Sequence, residues 1–255
     1  MSGKVLLCCL SFVLLASAAA SPAGAATKAS SSAPAIDPRA EQMLRQMSDY
    51  LAGLDHFTVH AYTTLEMITP SDMSLDSDRE VDLSVQRPDH VRINSLVPDH
   101  DRQMYYNGTT ITIYSPGKKL YAVMVAPATI DETIAAARTK GIELPLADLI
   151  QSRPYNSLMS GVRHGYYIGK SLVGGILTNH LAFRQKDLDW QIWIEDSSTP
   201  VPRRVIITDR ALPDTPRYSA TLSGWNTSPT FAANQFTFAP PADAQKIDFI
   251  ATGRR

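Results

Sequence analysis

The sequence predicts a mainly β domain of the α+β class: an antiparallel sheet of eleven or twelve strands, with one N-terminal helix and a short helical insert. Two long stretches, residues 57–125 and 162–225, alternate apolar and polar side chains with a period of two, which is typical of strands with one buried face. Turn residues such as Asn-Gly and Pro-Gly interrupt this alternation. Strands joined by short turns pair antiparallel, and such a sheet packs one covered face on a core.

The first residues predict an export signal. A positively charged residue, Lys4, precedes an apolar run that is too short for a membrane-spanning helix of about 20 residues. The small residues Ala23-Gly24-Ala25 then fit a cleavage site. We therefore expect residues 1–25 to be a signal peptide and residues 26–36, rich in Ala and Ser, to be a flexible leader. An uncleaved membrane anchor is the alternative interpretation.

The composition excludes several classes of protein. Both cysteines, Cys8 and Cys9, lie in the predicted signal, so the mature chain should contain no disulfide, thiol nucleophile or cysteine-bound metal. A formal net charge of −1 and short basic clusters argue against a nucleic-acid-binding face. No later apolar run is long enough for a transmembrane segment. We expect one domain at residues 37–250, followed by a tail at 251–255.

An amphipathic helix should begin the domain. Asp37 is suited to the N-cap and Pro38 to the first turn, and Gly53 lies where a glycine can help to end the helix. The apolar residues recur at spacings of three and four, which predicts one buried stripe. This stripe comprises Met43, Leu44, Met47, Tyr50, Leu51 and Leu54.

Residues 57–125 predict a meander of six antiparallel strands. Its clearest turn is Asn107-Gly108, because both residues tolerate positive φ and the pair therefore favours a type I′ hairpin. A helical insert should follow, with Thr129 capping a helix that ends at Gly141.

The rest of the domain should contain two short helices and a second set of strands. The short helices fit residues 145–152 and 154–160, each beginning at a proline. Five strands and a final extended segment should then complete the sheet. They lie at 162–170, 176–184, 189–195, 203–208, 217–225 and 234–241.

The sequence lacks clear patterns for catalysis and metal binding. It has no Gly-x-Ser-x-Gly nucleophile elbow. His56 and His60 would lie about 13 Å apart along one strand face, too far to share a metal ion. A cluster of acidic residues fits a solvated loop better than a cation site, because it lacks the spacing of a calcium-binding loop. The cluster comprises Asp72, Asp76, Asp78, Glu80 and Asp82. We therefore expect no catalytic residues, no metal and no cofactor.

Several stretches of the sequence resemble a known family. They read YNGTTITIY at 106–114, TID at 129–131, GIELPLAD at 141–148, HLAFRQ at 180–185, DWQIWI at 189–194 and FTFAPP at 236–241. Together they are similar to a family of predicted periplasmic proteins, domain of unknown function 2092, over nearly all of residues 37–250. The FTFAPP ending and the hairpin around Asn107-Gly108 are also similar to the periplasmic lipoprotein-carrier superfamily, which includes the LolA, LolB, LppX and RseB types.

The resemblance implies a location and a shape. It implies a periplasmic protein whose sheet is strongly curved into an open half-barrel with a helical lid, and whose concave face holds acyl chains. We expect one face of the sheet to line an apolar pocket that helices at 130–160 partly close. Alternation alone does not tell a hollow face from a packed core. The predicted lining residues are Val59, Leu83, Ile93, Ile113, Met124 and Ile192.

Two functions fit these expectations. The first is a non-enzymatic periplasmic binding protein that holds a lipid, a lipoprotein acyl chain or another apolar ligand. The second is an envelope protein-interaction or stress-signalling module without a small-molecule ligand. An enzyme is not expected, because no catalytic pattern stands out in the sequence.

Overall fold

The computed structural model describes residues 35–97, 100–142, 144–212 and 214–248. All the described helices and strands belong to one unit, which spans residues 34–255. The predicted signal peptide, nearly all of the predicted leader and the tail at 251–255 lie outside the described residues, so these boundaries stay predictions. Of the leader, Ala35 and Ile36 are described, and Ile36 forms a parallel bridge with Gly165.

A twelve-stranded sheet is the framework of the described chain. Its strands are β1 (His56–Ile68), β2 (Ser74–Gln86), β3 (His90–Leu96), β4 (Arg102–Asn107), β5 (Thr110–Ser115), β6 (Leu120–Val125), β7 (His164–Val173), β8 (Ile176–Arg184), β9 (Leu188–Glu195), β10 (Pro202–Asp209), β11 (Arg217–Asn226) and β12 (Gln245–Lys246). They form two antiparallel meanders, β1 to β6 and β7 to β11, joined where β1 pairs with β11. β7 lies at one edge and β12, parallel to β6, at the other, so the sheet is open. The predicted fold class is confirmed.

Three helices accompany the sheet. They are α1 (Pro38–Ala52), α2 (Ile130–Thr139) and α3 (Pro154–Met159), with single 3-10 turns at Pro116–Lys118 and Ala147–Ile150. α1 begins as predicted, because the Asp37 carboxylate accepts a hydrogen bond from the Arg39 amide (2.8 Å). α2 begins at Thr129, whose hydroxyl accepts a hydrogen bond from the Glu132 amide (3.2 Å). Gly53 ends α1 with a φ of −77°, a right-handed conformation that does not require glycine.

The core lies between the helices and one face of the sheet, which we call the inner face; the opposite face is the outer face. Alternate residues of β1, from Phe57 to Thr63, point inward and are buried. The helices bury their apolar stripes against this face. Their most buried side chains are Leu44, Met47 and Leu51 of α1 and Ile130 and Ile134 of α2.

The β4–β5 hairpin turns one residue later than predicted. Asn107 is the last residue of β4 and Thr110 the first of β5, so Gly108 and Thr109 form a two-residue loop. Of these residues only Gly108 has a positive φ, +81°, so the predicted type I′ turn, which needs two, is wrong. A glycine at the first loop position fits a type II′ turn. Asn107 supports the loop through its side chain, which accepts a hydrogen bond from the Thr110 amide (2.9 Å).

The C-terminal segment predicted to be extended at 234–241 does not form a strand of the sheet. It crosses the outer face of the first meander instead. Among the described residues after 226, only the two-residue β12 is a strand. Phe236 packs edge-on against His90, with ring centroids 5.3 Å apart. Phe238 packs on three tyrosines at centroid distances of 5.0–5.5 Å: Tyr105, Tyr114 and Tyr121. The alternating phenylalanines are thus aromatic anchors of a segment that covers the outer face.

The acidic cluster predicted as a loop is mostly part of a strand. β2 begins at Ser74, because β1 and β2 pair along their whole length. Four of the acidic residues occupy its outer-face positions: Asp76, Asp78, Glu80 and Asp82. Two of them have partners on β1, since Asp78 accepts a hydrogen bond from the Thr64 hydroxyl (2.7 Å) and Asp82 lies 2.8 Å from His60 Nδ1.

Candidate functional site

Strand pairing places the predicted lining residues on the inner face. Val59 pairs with Leu83, and Leu83 pairs on its other side with Ile93. The same row continues through Met104 to Ile113. Directly opposite residues in neighbouring strands share a face of the sheet. This row therefore crosses the first meander on the inner face from β1 to β5.

Met124 and Ile192 lie on the same face by the same argument. Met124 is paired with Ile111, which has the orientation of Ile113 two residues later. Ile192 connects through paired residues of β10 and β11 to Thr63, which points inward on β1. The structure thus brings all six predicted residues to one continuous face.

The helices cover this face unevenly. Val59 and Ile192 are buried in the core beneath the helices. The other four predicted residues are half-buried, and of these Leu83 and Ile93 pack against the margin of the core. Which of the six residues contact a ligand stays a prediction.

Beyond the helices, some apolar side chains of the inner face are not covered by any other described element. Leu65 and Met67 continue the inward positions of β1, and Leu75 of β2 pairs with Met67. These three side chains, which we call the hairpin patch, are 43, 46 and 41% exposed. Exposed apolar side chains grouped on a face that is elsewhere buried make this region a candidate binding surface.

Two arginines occupy inner-face positions on β2 and β4. Arg79 of β2 pairs with the inward-pointing Thr63, and Arg102 of β4 precedes Met104 by two residues and so shares its orientation. Neither guanidinium forms an ion pair or hydrogen bond with another described residue. The sequence analysis did not identify either arginine. Each lies an even number of residues from inward-pointing apolar neighbours on its strand, and this spacing could have identified both.

A second opening lies between α1 and the turn that joins β9 to β10. This cleft has a volume of about 500 Å³ and apolar walls that include Met43, Tyr50 and Ile194. Asp196 on its rim accepts hydrogen bonds from Lys170 Nζ (2.5 Å) and Asn179 Nδ2 (3.0 Å). These bonds, Lys170 foremost, hold the pKa of Asp196 below its usual value. The cleft contains none of the six predicted residues, and it depends on tertiary packing that alternation does not reveal.

The described residues also bear on metal binding and on crossing a membrane. In this part of the chain, no group of three or more His, Cys, Asp or Glu side chains is placed to hold a metal ion. Among the same residues, no helix combines the length and apolarity that crossing a bilayer requires.

Comparison with solved structures finds several distant likenesses. LprF from Mycobacterium bovis is 17% identical, with 78% of this chain and 98% of LprF covered and a TM-score of 0.49. The lipoprotein LppX from Mycobacterium tuberculosis is 15% identical, with coverages of 76% and 98% and a TM-score of 0.47. The MucA/MucB complex of Pseudomonas aeruginosa contains a chain 14% identical, with coverages of 82% and 63% and a TM-score of 0.42. Identities this low say nothing about a ligand.

Comparison with family models gives a specific result. One model matches residues 40–250, which include nearly all of the described helices and strands, and no match was found among curated proteins. The matching model is described as a predicted periplasmic protein, in agreement with the family and the location expected from the sequence. The chain therefore belongs to the family of predicted periplasmic proteins named domain of unknown function 2092.

Proposed function

We propose that this protein is a non-enzymatic periplasmic binding protein that holds a lipid, a lipoprotein acyl chain or another apolar ligand against the inner face of its sheet. The observation that carries the proposal is the hairpin patch, where the inner face is apolar and open to solvent. The half-buried residues Leu83, Ile93 and Ile113 lie on the same face and would extend the surface toward the core.

The outer face is a poorer candidate for the same ligand. Its β2 positions are acidic, and the C-terminal segment already covers the tyrosines of β4 to β6. An acyl chain placed there would have to displace aromatic contacts and approach carboxylates. On the inner face it would cover side chains that are otherwise in water.

The energetics of burial support binding on a surface of this kind. Each methylene group removed from water contributes about 0.8 kcal/mol, so ten methylenes contribute about 8 kcal/mol before the cost of association. Micromolar affinity corresponds to about 8 kcal/mol after that cost, so a ligand that binds this tightly must bury more than ten methylenes. A chain that also displaced the packed helices would gain less, because the helix contacts would be lost.

A charge in the hairpin patch tests the proposal. Met67→Glu should abolish binding of a fluorescent fatty-acid probe, because the carboxylate would have to be buried beneath the chain. Val125→Glu is the matched control, since Val125 is apolar and 90% exposed but has outer-face parity on β6. Titration of the probe into each variant measures the effect. Equal binding by the wild type and Met67→Glu would contradict the proposed location of the ligand.

A protein-interaction module is the second candidate, and the edge strand β7 favours it. β7 has a neighbour on one side only, apart from the bridge that Ile36 makes at Gly165. Its Tyr166 and Ile168 are 54 and 56% exposed. Such an edge can pair with an extended segment of another protein. Native mass spectrometry of the protein isolated from its envelope separates the candidates, because a bound lipid and a bound protein differ greatly in mass.

A further inference from the structure

We propose that Arg79 and Arg102 bind the anionic headgroup of an amphiphile, a carboxylate or phosphate on an acyl chain, while the chain lies on the hairpin patch and the half-buried inner face beside it. This inference rests on the proposed function and names the chemical class of the ligand. The surface that carries it combines uncovered apolar side chains with two cations that have no partner among the described residues.

The register brings the two arginines within reach of one headgroup. Val81, two residues from Arg79, pairs with Ser95, and Ser95 pairs with Arg102. The two arginines are therefore two strands apart across the sheet and two residues apart along it. At about 4.8 Å per strand and 3.4 Å per residue, their Cα atoms are separated by about 12 Å. Two long, flexible side chains can converge on one anion across that distance.

No carboxylate of the described chain neutralises the charge of these arginines. Arg184 meets Asp189 (2.7 Å) and Arg138 meets Asp148 (2.8 Å), whereas Arg79 and Arg102, like the exposed Arg217, have no such partner. The acidic residues of β2 would be the nearest partners for Arg79 along its own strand. These acidic residues alternate with Arg79 along β2, so their carboxylates lie on the outer face and Arg79 lies on the inner face.

Titratable groups lie close to each of the two arginines. Arg79 lies close enough to the inward-pointing Tyr218 to affect its pKa. Burial raises the pKa of Tyr218, while its hydrogen bond with Thr63 and the charge of Arg79 lower it. Arg102 lines a small polar recess with Lys118, which has no ion-pair partner in the described chain. Asp101 in the same recess lies 3.3 Å from the Val97 amide, from which it accepts a hydrogen bond.

The chemistry of the pair fits an oxyanion. A guanidinium presents parallel N–H donors that match the oxygens of a carboxylate or phosphate, and it is more weakly hydrated than an ammonium group. The neighbouring apolar positions suit the adjoining methylenes and not a second charge. A neutral lipid would leave both guanidinium groups without a partner.

A pair of probes tests the inference: the fluorescent fatty acid cis-parinaric acid and its uncharged methyl ester. The wild type should bind the acid more tightly than the ester. Arg79→Gln and Arg102→Gln should each weaken binding of the acid by about tenfold, as expected for loss of a charged hydrogen bond, and leave ester binding unchanged. Added salt should reproduce part of this loss for the acid alone. Arg217→Gln is the matched control, because Arg217 is exposed and unpaired but has outer-face parity on β11.

The outcomes distinguish this inference from the proposed function. Equal wild-type affinities for acid and ester, with both arginine variants behaving like Arg217→Gln, would overturn the headgroup assignment and keep the apolar ligand. Binding of neither probe would overturn both. Arg79→Lys serves as a second variant that keeps the charge, and it should retain part of the preference for the acid even if Arg79→Gln is poorly folded.

Competition experiments distinguish the possible sources of the anion. Lysophosphatidic acid should displace the bound parinaric acid, whereas inorganic phosphate at the same concentration should not, because it brings no chain to the hairpin patch. Displacement by phosphate alone would overturn the amphiphile and indicate a simple anion site. Binding to vesicles of anionic phospholipid without uptake of either probe would indicate a membrane-contact surface and would also overturn the inference.

Discussion

The inner and outer faces of the first meander are both apolar in part, but they are completed differently. On the outer face, Phe238 closes over the tyrosines of β4, β5 and β6. On the inner face, the helices cover Val59 and its neighbours but leave the hairpin patch in water. The C-terminal segment therefore covers an apolar surface on the outer face, whereas no described segment covers the hairpin patch. In the proposed function, a bound apolar ligand would cover the open surface.

The largest expected effect compares the covered and the open parts of the inner face. Leu44→Ala should lower the free energy of unfolding by about 2–5 kcal/mol, because Leu44 is fully buried between α1 and the sheet. Met67→Ala should change it by only about 0.5 kcal/mol, since nearly half of Met67 is already exposed. Denaturant unfolding of both variants measures the contrast. Similar losses would mean that the hairpin patch is packed in solution.

A larger side chain tests where the boundary lies between the covered and the open parts of the inner face. Val59→Trp should cost about 1–3 kcal/mol through overpacking, because Val59 is buried beneath the helices. Leu83→Trp, one strand away on the same row, should cost less than about 1 kcal/mol but block uptake of a fluorescent fatty acid. A thermal melt and a binding titration on each variant give both results. Strong destabilisation by Leu83→Trp would place the residue in ordinary core.

The β4–β5 hairpin fixes which residues of β4 point inward, and its turn is sensitive to substitution. Gly108→Val should lower stability by about 1–2 kcal/mol, because its φ is +81° and a Cβ there would lie 2.9 Å from Asp89 Oδ2. Gly141→Val is the control, with a similar φ of +69° but no atom within 4 Å of the added Cβ. Thermal melts should show the larger loss at Gly108. Equal losses would assign the whole effect to backbone conformation.

The smallest expected effect on stability comes from comparing an arginine that has a carboxylate partner with one that has none. The hydrogen bond and ion pair from Arg184, together with Arg210, hold the pKa of Asp189 below its ordinary value. A depressed pKa stabilises the fold above the unfolded value of about 4, and this contribution disappears as the pH falls through the folded value. Asp189→Asn should therefore lower stability slightly at pH 7 and not at strongly acidic pH.

Arg102 provides the comparison for that measurement. Because it has no carboxylate partner among the described residues, Arg102→Gln should leave stability unchanged at every pH at which the protein remains folded. Unfolding curves collected across the acidic range test both variants. A pH-dependent loss in Arg102→Gln would reveal a partner for this guanidinium and weaken its assignment to a ligand.

Local sequence patterns predicted most of the helices and strands. The alternation of residues 57–125 indicated all six strands of the first meander, and Asp37 and Thr129 marked the beginnings of α1 and α2. These features depend on neighbours in sequence, which patterning captures well. The turn after β4 was misplaced by one residue because Asn107 and Gly108 both tolerate turn conformations, and only the pairing of the flanking strands fixes the register.

The features that sequence reasoning missed depend on contacts between distant residues. Phe236 and Phe238 have the spacing of a strand, but their partners are aromatic rings more than a hundred residues earlier in the chain. Alternation also gave Val59 and Leu83 the same face without showing that the helices bury one more deeply than the other. The inward parity of Arg79 was visible in the sequence, but the lack of a partner emerged only from the fold.

The most direct test of the central claim is native mass spectrometry of the protein isolated from the periplasm without detergent, followed by lipid analysis of an organic extract. The account predicts a population carrying the added mass of one anionic amphiphile, lost after extraction and strongly reduced in Leu83→Trp. A protein that leaves the periplasm with the mass of the chain alone, yields no lipid on extraction and takes up neither probe would contradict the account.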